Sequence, residues 1–386
     1  ERWLGSFATL AVAAPVIPEE LAQGMRETRW VPIGRLSERV ELFPLPWAYR
    51  PDHFLRRLPA TIKVLDRLIA ESRYLQFAIG GLWGDWAAVA AELAIRRRRS
   101  YAVHTDNVAH EFVLRVSQKE ILRRRWKAKV DSGLMRVWHH RIIVRCDLGL
   151  FHGQDTLEAY GPWMQSVYRG HLVHNVHDIH DLGLDGTRPQ QRFDSLACSD
   201  PRQPGAPLRL IYAGRMAFEK APEDWLKVIR GLHERGVPIQ AIWIGDGPLR
   251  DEFMQSRTRY GLEDLVSAPG FVADRARVGR VYRSADLFLF THLTRESPRC
   301  LLEALRFGIP IVGYESAYAR DLIARHGGGL LVPCGDWRAL TDVVAQLATD
   351  DSRLAAMARS AAENGSRFTS RAVFMHRSNL IRTFLP

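Results

Sequence analysis

The chain has no run of about eighteen consecutive apolar residues, so no segment has the length and apolarity of a membrane-spanning helix. Cysteine is scarce. The four, at 146, 198, 300 and 334, are too widely spaced for a metal-binding or redox motif, a usage that suits a reducing cytoplasm. Internal repeats and long low-complexity tracts are also missing, which excludes solenoid arrays and compositionally disordered chains. Acidic charge is in deficit: 43 Asp and Glu face 54 Lys and Arg, a formal net charge of +11. What is present suffices for two ordinary cores, with 386 residues and 46% hydrophobic content.

The first half alternates strand and helix signals, the pattern of a doubly wound α/β sheet. The apolar stretch over 7–14 is too short to span a bilayer and has no convincing cleavage pattern, so it reads as a first strand. Strands are expected over 40–43, 75–79, 101–103, 148–151 and 172–176, with helices over 52–70 and 87–94. From Asp178 to Pro207 the composition shifts to Gly, Pro, Asp, Arg, Gln and Ser, which reads as a linker. A second alternating series runs to about residue 350, and a last helix is expected over 370–384.

The positive charge is concentrated. Between Arg115 and Arg145 ten Lys or Arg face only Glu120 and Asp131, interleaved at near-helical spacing with Ile121, Leu122, Trp126, Val130, Leu134, Met135, Val137 and Trp138. Two readings stay open. The helix lies on an anionic membrane surface, or its apolar stripe packs on the core while the basic face is solvated. Nucleic acid is disfavoured, because no recognised binding motif accompanies the charge.

Two segments about eighty residues apart carry the chemistry. In the first, the apolar run Leu208–Ala213 reads as a buried parallel strand that stops at Gly214, where a residue without Cβ lets a ligand approach the main chain. Arg215 and Lys220 follow, and Pro222-Glu-Asp opens a helix. A planar guanidinium fork, a point charge and free helix N–H groups beyond the carboxyl end of a strand suit a diphosphate. The plain alternative is a pair of solvated loop cations. In the second segment a strand ends at Phe290, a polar loop runs from Thr291 to Pro298, and Cys300 to Phe307 reads as a short helix closed by Gly308. Glu303 sits there among Leu301, Leu302, Ala304 and Leu305, and a carboxylate so placed needs a partner such as the hydroxyls of a ribose. The plain alternative is a helix-surface glutamate.

In this order the segments resemble the donor half of retaining GT-B glycosyltransferases of the family 4 type, the glycosyl transferases group 1. The resemblance spans Leu208 to Asp351 and includes Gly214-Arg215, Glu219-Lys220, the turn Ile244-Gly-Asp-Gly-Pro-Leu249, Gly270-Phe271, Ser284 to Phe290, the Glu303 segment and Gly328 to Pro333 with Asp336. It implies an α/β GT-B fold, two Rossmann-like doubly wound domains facing across a cleft. The first, acceptor-binding, would take 1–185 and be rejoined by the terminal helix 370–386. A linker would occupy 186–207, and the nucleotide-sugar domain 208–369.

The resemblance further implies transfer of a hexose from a nucleotide diphosphate sugar to an acceptor hydroxyl with retention, without a bound metal or other cofactor. Arg215 and Lys220 would hold the diphosphate and Glu303 the ribose. Phe271 would border the base, and Gly214, Gly245, Arg299, Cys300 and Leu301 would complete the donor contacts. Arg299 has a plain alternative as a surface cation. In the front-face mechanism proposed for such enzymes the departing phosphate oxygen accepts the acceptor proton, so no dedicated base is needed.

Two departures from the family stand out. It commonly places seven residues between its two functional glutamates, whereas six, Ser297 to Leu302, separate Glu296 from Glu303, and strict register puts Arg295 in the first position. Glu296 is expected to orient the sugar through a shortened loop. The stretch Val16 to Glu20, where the family has a glycine-rich first loop, has no double glycine.

On the acceptor side, Gly81 with Gly80 and Asp85, His104 with Asp106, and His110 with Glu111 all follow strands of the first domain. His104 is the best placed to hydrogen-bond a substrate hydroxyl or phosphate; a turn-stabilising role is the alternative. His174, His177 and His180 with Asp178 read as hinge or phosphate contacts rather than a metal site. The preferred acceptor is a lipid-linked saccharide in cell-surface polysaccharide synthesis, made in the cytoplasm at the inner face of the membrane. A sugar-nucleotide epimerase of the same fold and a non-catalytic GT-B binding protein are the competing readings.

Overall fold

The computed structural model describes residues 2–24, 38–119, 121–166, 169–174 and 206–385. They divide into two compact units. The first takes in the described residues up to His174, together with Arg295–Ser297 and those from Arg371 onward. The second holds the described residues between Asn175 and Thr294 together with Pro298–Ser370. The linker expected over 186–207 lies almost wholly outside the described residues, as do His177, Asp178 and His180.

In chain order the first unit runs β1 (Leu10–Pro15), α1 (Glu19–Gly24), β2 (Val40–Leu45), α2 (Pro51–Glu71), β3 (Gln76–Ala78), α3 (Trp86–Arg96), β4 (Ala102–Thr105), α4 (Ala109–Val116), α5 (Leu122–Ile143), β5 (Leu148–His152), α6 (Gln154–Tyr160) and β6 (Gly170–Val173). The basic stretch is thus two helices, α4 and α5, with a 3-10 turn at Ser117–Lys119 between them. Helix α2 begins with Pro51 in its first turn and buries Phe54, Leu65, Leu68 and Ile69 along one face. Strands β3-β4-β5-β6 form a parallel sheet, and every residue of β5 is buried. A strand covered on both faces reads as a continuous apolar run, as Leu148-Gly-Leu-Phe does.

Among the described residues β1 and β2 pair only with each other, in parallel, and do not join the four-stranded sheet. Between them and β3 lies a cavity of about 550 Å³ lined by Ala11, Ala13, Leu45, Phe77 and Trp86 among others. β1 offers mostly alanines, whose small side chains bury little apolar area, and Val12 and Leu42 stay 41% exposed.

The second unit continues with β7 (Leu208–Ala213), α7 (Pro222–Glu234), β8 (Ile239–Ile244), α8 (Arg250–Arg259), β9 (Val266–Gly270), α9 (Arg275–Ser284), β10 (Leu287–Phe290), α10 (Arg299–Arg306), β11 (Ile311–Tyr314), α11 (Ala317–Ala324), β12 (Gly329–Val332), α12 (Trp337–Ala348) and α13 (Asp351–Ser366). Its strands form one parallel sheet in the order β12-β11-β10-β7-β8-β9. Tyr212, Trp225, Trp243 and Phe253 pack in its core, and the two indoles donate to the Leu289 and Gly214 carbonyls at 3.1 and 3.0 Å. From β7 the chain proceeds to β8 on one side, while β10 pairs on the other. The strand order therefore reverses between β7 and β10, and an open α/β sheet binds its ligands at the carboxyl ends of the strands at such a point. The last helix, α14 (Ser370–Phe384), follows. Its Ile381, with Leu385 beyond it, packs against Ala102, Leu148, Leu150 and Val173 in the first unit.

Candidate functional site

In the second unit the loops after β7, β8 and β9 are tied to one another by main-chain hydrogen bonds. The amide of Gly214 donates to the Ile244 carbonyl (2.9 Å), Met216 to Asp246 (3.0 Å), Gly245 to Gly270 (2.9 Å) and Leu249 to Met216 (2.9 Å). Gly245 makes this approach possible. Its φ is +140°, and a Cβ there would lie 2.0 Å from the Gly214 carbonyl oxygen.

The loop carrying Lys220 is tied in turn to the loop after β10. Leu293 N–H donates to the Glu219 carbonyl (2.9 Å), and the Thr291 hydroxyl to the carbonyls of Lys220 (2.8 Å) and Ala221 (3.1 Å). Ala221, left-handed with φ +43°, turns the chain directly into α7, whose first turn carries Pro222, Glu223 and Asp224. Beneath this loop His292 is fully buried, its Nε2 2.7 Å from the Tyr212 hydroxyl. Burial, reinforced by the Lys220 charge, holds its pKa well below the ordinary histidine value, so the ring under the loop is neutral. Arg215 is exposed and Lys220 partly so, both beyond the carboxyl end of β7.

Glu303 lies on α10 with its side chain only 12% exposed. The expectation that so buried a carboxylate needs a partner holds, but the protein already supplies two. The Tyr282 hydroxyl donates to Oε2 at 3.2 Å, and an Arg275 guanidinium nitrogen lies 3.6 Å from Oε1. Burial pushes the Glu303 pKa up, and Arg275 and Tyr282 oppose that rise. Tyr282 is itself clamped between Phe288 and Phe307, with nearly parallel rings at 6.0 and 4.9 Å. Of the other donor-side candidates, Phe271 is 42% exposed beyond β9, Arg299 is exposed and Cys300 half-buried. Leu301 is a core residue at 1% exposure, and its amide donates to the Pro298 carbonyl.

Arg295–Ser297 belongs to the first unit. Glu296 forms an antiparallel bridge with Asn107. Arg295, the residue in strict register with the family's first glutamate, is committed to carboxylates: Nε lies 3.3 Å from the buried Asp155 side chain and Nη1 3.4 Å from Glu111. The Ser297 hydroxyl donates to the His152 carbonyl.

Also in the first unit, His104 lies in β4 between β3 and β5, and its Nε2 is buried without a hydrogen-bond partner. Burial, with Arg377 adding to it, lowers its pKa to about 3. The ring is neutral at ordinary pH, so it can bond a hydroxyl but carries no charge toward a phosphate. Asp106 is exposed. Gly81 is pinned on both sides: its amide and that of Gly80 donate to Asp85 Oδ2 (2.8 and 2.9 Å), and its carbonyl faces His139 Nε2 at 3.1 Å. Asp85 also caps α3 through the Ala88 amide.

Sequence reasoning passed over Tyr282, Arg275, Thr291 and His292. Only the last two carried a signal, as polar residues immediately after an apolar strand. Among the described residues no group of three His, Cys, Asp or Glu side chains could hold a metal ion, and no helix is long and apolar enough to cross a membrane.

Residues 199–365 match the family model of the glycosyl transferases group 1. The chain is 29% identical over 234 residues to the putative colanic acid biosynthesis glycosyltransferase WcaL of Escherichia coli, covering 52% of this chain and 56% of that protein. It is 28% identical over 152 residues to the amylovoran biosynthesis glycosyltransferase AmsK of Erwinia amylovora, covering 38% and 37%. The chain thus spans about half the length, or less, of these two relatives. Among solved structures it is similar to Anabaena HepE in complex with UDP, with TM-score 0.60, 19% identity and coverage of 89% and 85%. It is also similar to sucrose-phosphate synthase from Thermosynechococcus elongatus, with TM-score 0.62, 16% identity and coverage of 90% and 84%. The fold is GT-B, with two Rossmann-like units, and residues 199–365 carry the match to the glycosyl transferases group 1.

Proposed function

We propose that this chain is a glycosyltransferase that moves a hexose, with retention, from a nucleotide diphosphate sugar to an acceptor hydroxyl in the synthesis of a cell-surface polysaccharide. The observation that carries the proposal is the tie between the 219–221 and 291–293 segments, which fixes Lys220 beside the N-terminus of α7, on the loop that carries Arg215. Breaking the glycosidic bond puts negative charge on the leaving diphosphate. The two cations and the positive end of the α7 dipole stabilise that charge more in the transition state than in the ground state, although Pro222 has no N–H and the Asp224 and Trp225 amides already donate to the Ala221 carbonyl. The buried Glu303 accepts hydrogen bonds from the ribose hydroxyls, with Tyr282 and Arg275 holding it in place. Phe271 offers an exposed side chain to the base, and Gly214 and the N-terminal end of α10 at Arg299 and Cys300 are partly exposed to the donor, whereas Gly245 is buried and acts by letting the loops after β7 and β8 approach.

In the first unit, His104, Asp106 and the Gly81 loop form the acceptor side, with His104 acting as a neutral hydrogen-bonding group. Glu296 orients the transferred sugar. No metal takes part in this reading, because the cations supply the charge that a metal would. The acceptor is a lipid-linked saccharide, in keeping with relatives named for colanic acid and amylovoran biosynthesis. An epimerase of the same fold would need acid and base groups around the sugar, and the Glu303 segment does not supply such a pair.

The test is nucleotide release from a panel of UDP- and GDP-sugars, with and without lipid-linked acceptors. Acceptor-dependent release with an α-configured product from an α-donor is expected. Epimer formation without acceptor, or sugar-nucleotide binding without turnover under any condition, overturns the reading.

A further inference from the structure

Helix α5 has two apolar faces, and the described residues cover only one. Ala128, Ser132, Met135, His139, Ile142 and Ile143 are buried, which defines the inward face. The far side carries Leu122, Trp126, Val130, Leu134 and Val137, which at about 100° per residue share an arc of about 120° roughly opposite the buried face. These are large side chains in open solvent: Leu122 is 77% exposed, Trp126 68% and Val137 71%. A contiguous apolar patch of this kind on an otherwise charged helix marks a surface that meets something.

The flanks say what it meets. Lys129 and Arg136 border the stripe on one side and Lys127 on the other, Arg123 and Arg141 lie at its two ends within the same arc, and Arg124 and Arg125 stand in the first turn. Arg141 pairs with Glu92 at 2.8 Å and Lys127 with Asp131, while Arg123, Arg125, Lys129 and Arg136 have no carboxylate partner among the described residues. We propose that this face of α5 is the docking surface of the protein on a lipid bilayer containing anionic headgroups. The helix would lie in the interfacial plane, with Trp126 and its apolar neighbours among the acyl chains and the flanking cations on the headgroup phosphates.

Both halves of the surface are matched by such a bilayer, because one plane presents hydrocarbon and negative charge together. A second copy of the chain matches it less well. Packing this face against itself would bring cation rows close to cation rows, with only Asp131 on the helix to offset them. The 22 residues of the helix give it a length of about 33 Å, enough for five apolar side chains to enter the interface in one row.

The experiment is flotation of the full chain with vesicles of phosphatidylcholine alone, and with vesicles in which about a third is replaced by phosphatidylglycerol. No nucleotide sugar or acceptor is present, so the outcome is independent of the catalytic reading. Binding is expected to the anionic vesicles, to fall at high salt, and to be accompanied by a blue shift of tryptophan fluorescence that Trp126→Ser abolishes. Replacing Arg123 and Arg136 by Gln should weaken binding about 25-fold, since each cation near the surface contributes a factor of about five. Trp126→Ser with Val137→Ser should weaken it at least as much, while both variants melt with the parent protein. Equal recovery with neutral and anionic vesicles overturns the proposal. So does an absence of vesicle binding combined with a dimer in solution that the same substitutions dissociate.

Discussion

The two units solve the same architectural problem with different completeness. In the second, six strands make one sheet whose central members, such as Leu287–Phe290 and Ile311–Tyr314, are buried throughout, and whose loops are laced to one another at the carboxyl end. In the first, four strands make the sheet, and β1 and β2 stand apart across a cavity of about 550 Å³. The difference lies in side-chain volume: phenylalanine, leucine and isoleucine fill the space between layers in one unit, where β1 brings alanine in the other. A rigid frame suits charges that must be fixed before a reaction. A looser one suits a surface that admits varied partners.

The sharpest test of this contrast uses charge. Lys220→Ala and Arg215→Ala should each lower turnover by about 10²- to 10³-fold with no change in melting temperature, measured as acceptor-dependent nucleotide release. Gly81→Ala in the first unit, whose added Cβ would meet only Asp85 at 3.6 Å, should cost far less. Equal losses would erase the distinction between the two frames.

Next in size is a pair of glycines. Gly245→Ala places a Cβ 2.0 Å from the Gly214 carbonyl at φ +140° and should destabilise the second unit by about 3 kcal/mol or more. Gly80→Ala meets nothing within 4 Å and should change stability by no more than about 0.5 kcal/mol. Chemical denaturation of the two variants reads the difference directly.

A third prediction concerns acid. His292 in the second unit and His104 in the first both have folded-state pKa values below the ordinary 6.5, through burial first and through Lys220 and Arg377 respectively. Below pH 6.5 the unfolded chain therefore binds protons that the folded chain refuses, and stability falls as pH falls. The slope for each histidine is about 1.4 kcal/mol per pH unit, and for His104 it persists down to about pH 3. His104→Gln should flatten the profile for the first unit alone, which hydrogen exchange resolved by segment would show.

The smallest effect belongs to Tyr282→Phe. Losing one hydrogen bond to Glu303 should weaken nucleotide binding by about fivefold, seen by calorimetry, with little change in the rate at saturating donor.

The second unit was largely legible because its strands are apolar runs with a glycine or proline near their ends, and the loops of the candidate site follow them directly. Arg215, Lys220, Gly214, Gly245 and Glu303 lie at or just beyond the carboxyl ends of strands or on the short helix that follows β10, where the pattern put them. Tyr282 and Arg275 were not legible. Each occupies an ordinary amphipathic position on α9, and only the three-dimensional packing of α9 on α10 turns them toward Glu303. The basic stretch was legible as charge but not as orientation: its apolar residues divide between two opposite faces, and periodicity alone does not say which is covered. Nor did the pattern show that the Arg295–Ser297 stretch would belong with the first unit, because its contacts are to residues more than a hundred positions away.

The lacing of Gly214, Met216, Gly245 and Gly270 runs through amide and carbonyl groups that every residue carries. Apart from the glycines that permit the close approach, the flanking side chains can drift without disturbing the cradle, since replacing them removes none of its bonds. Substitutions accumulate over evolutionary time where selection acts on the main chain alone. A scaffold of this kind can therefore keep its shape while the side chains around it change.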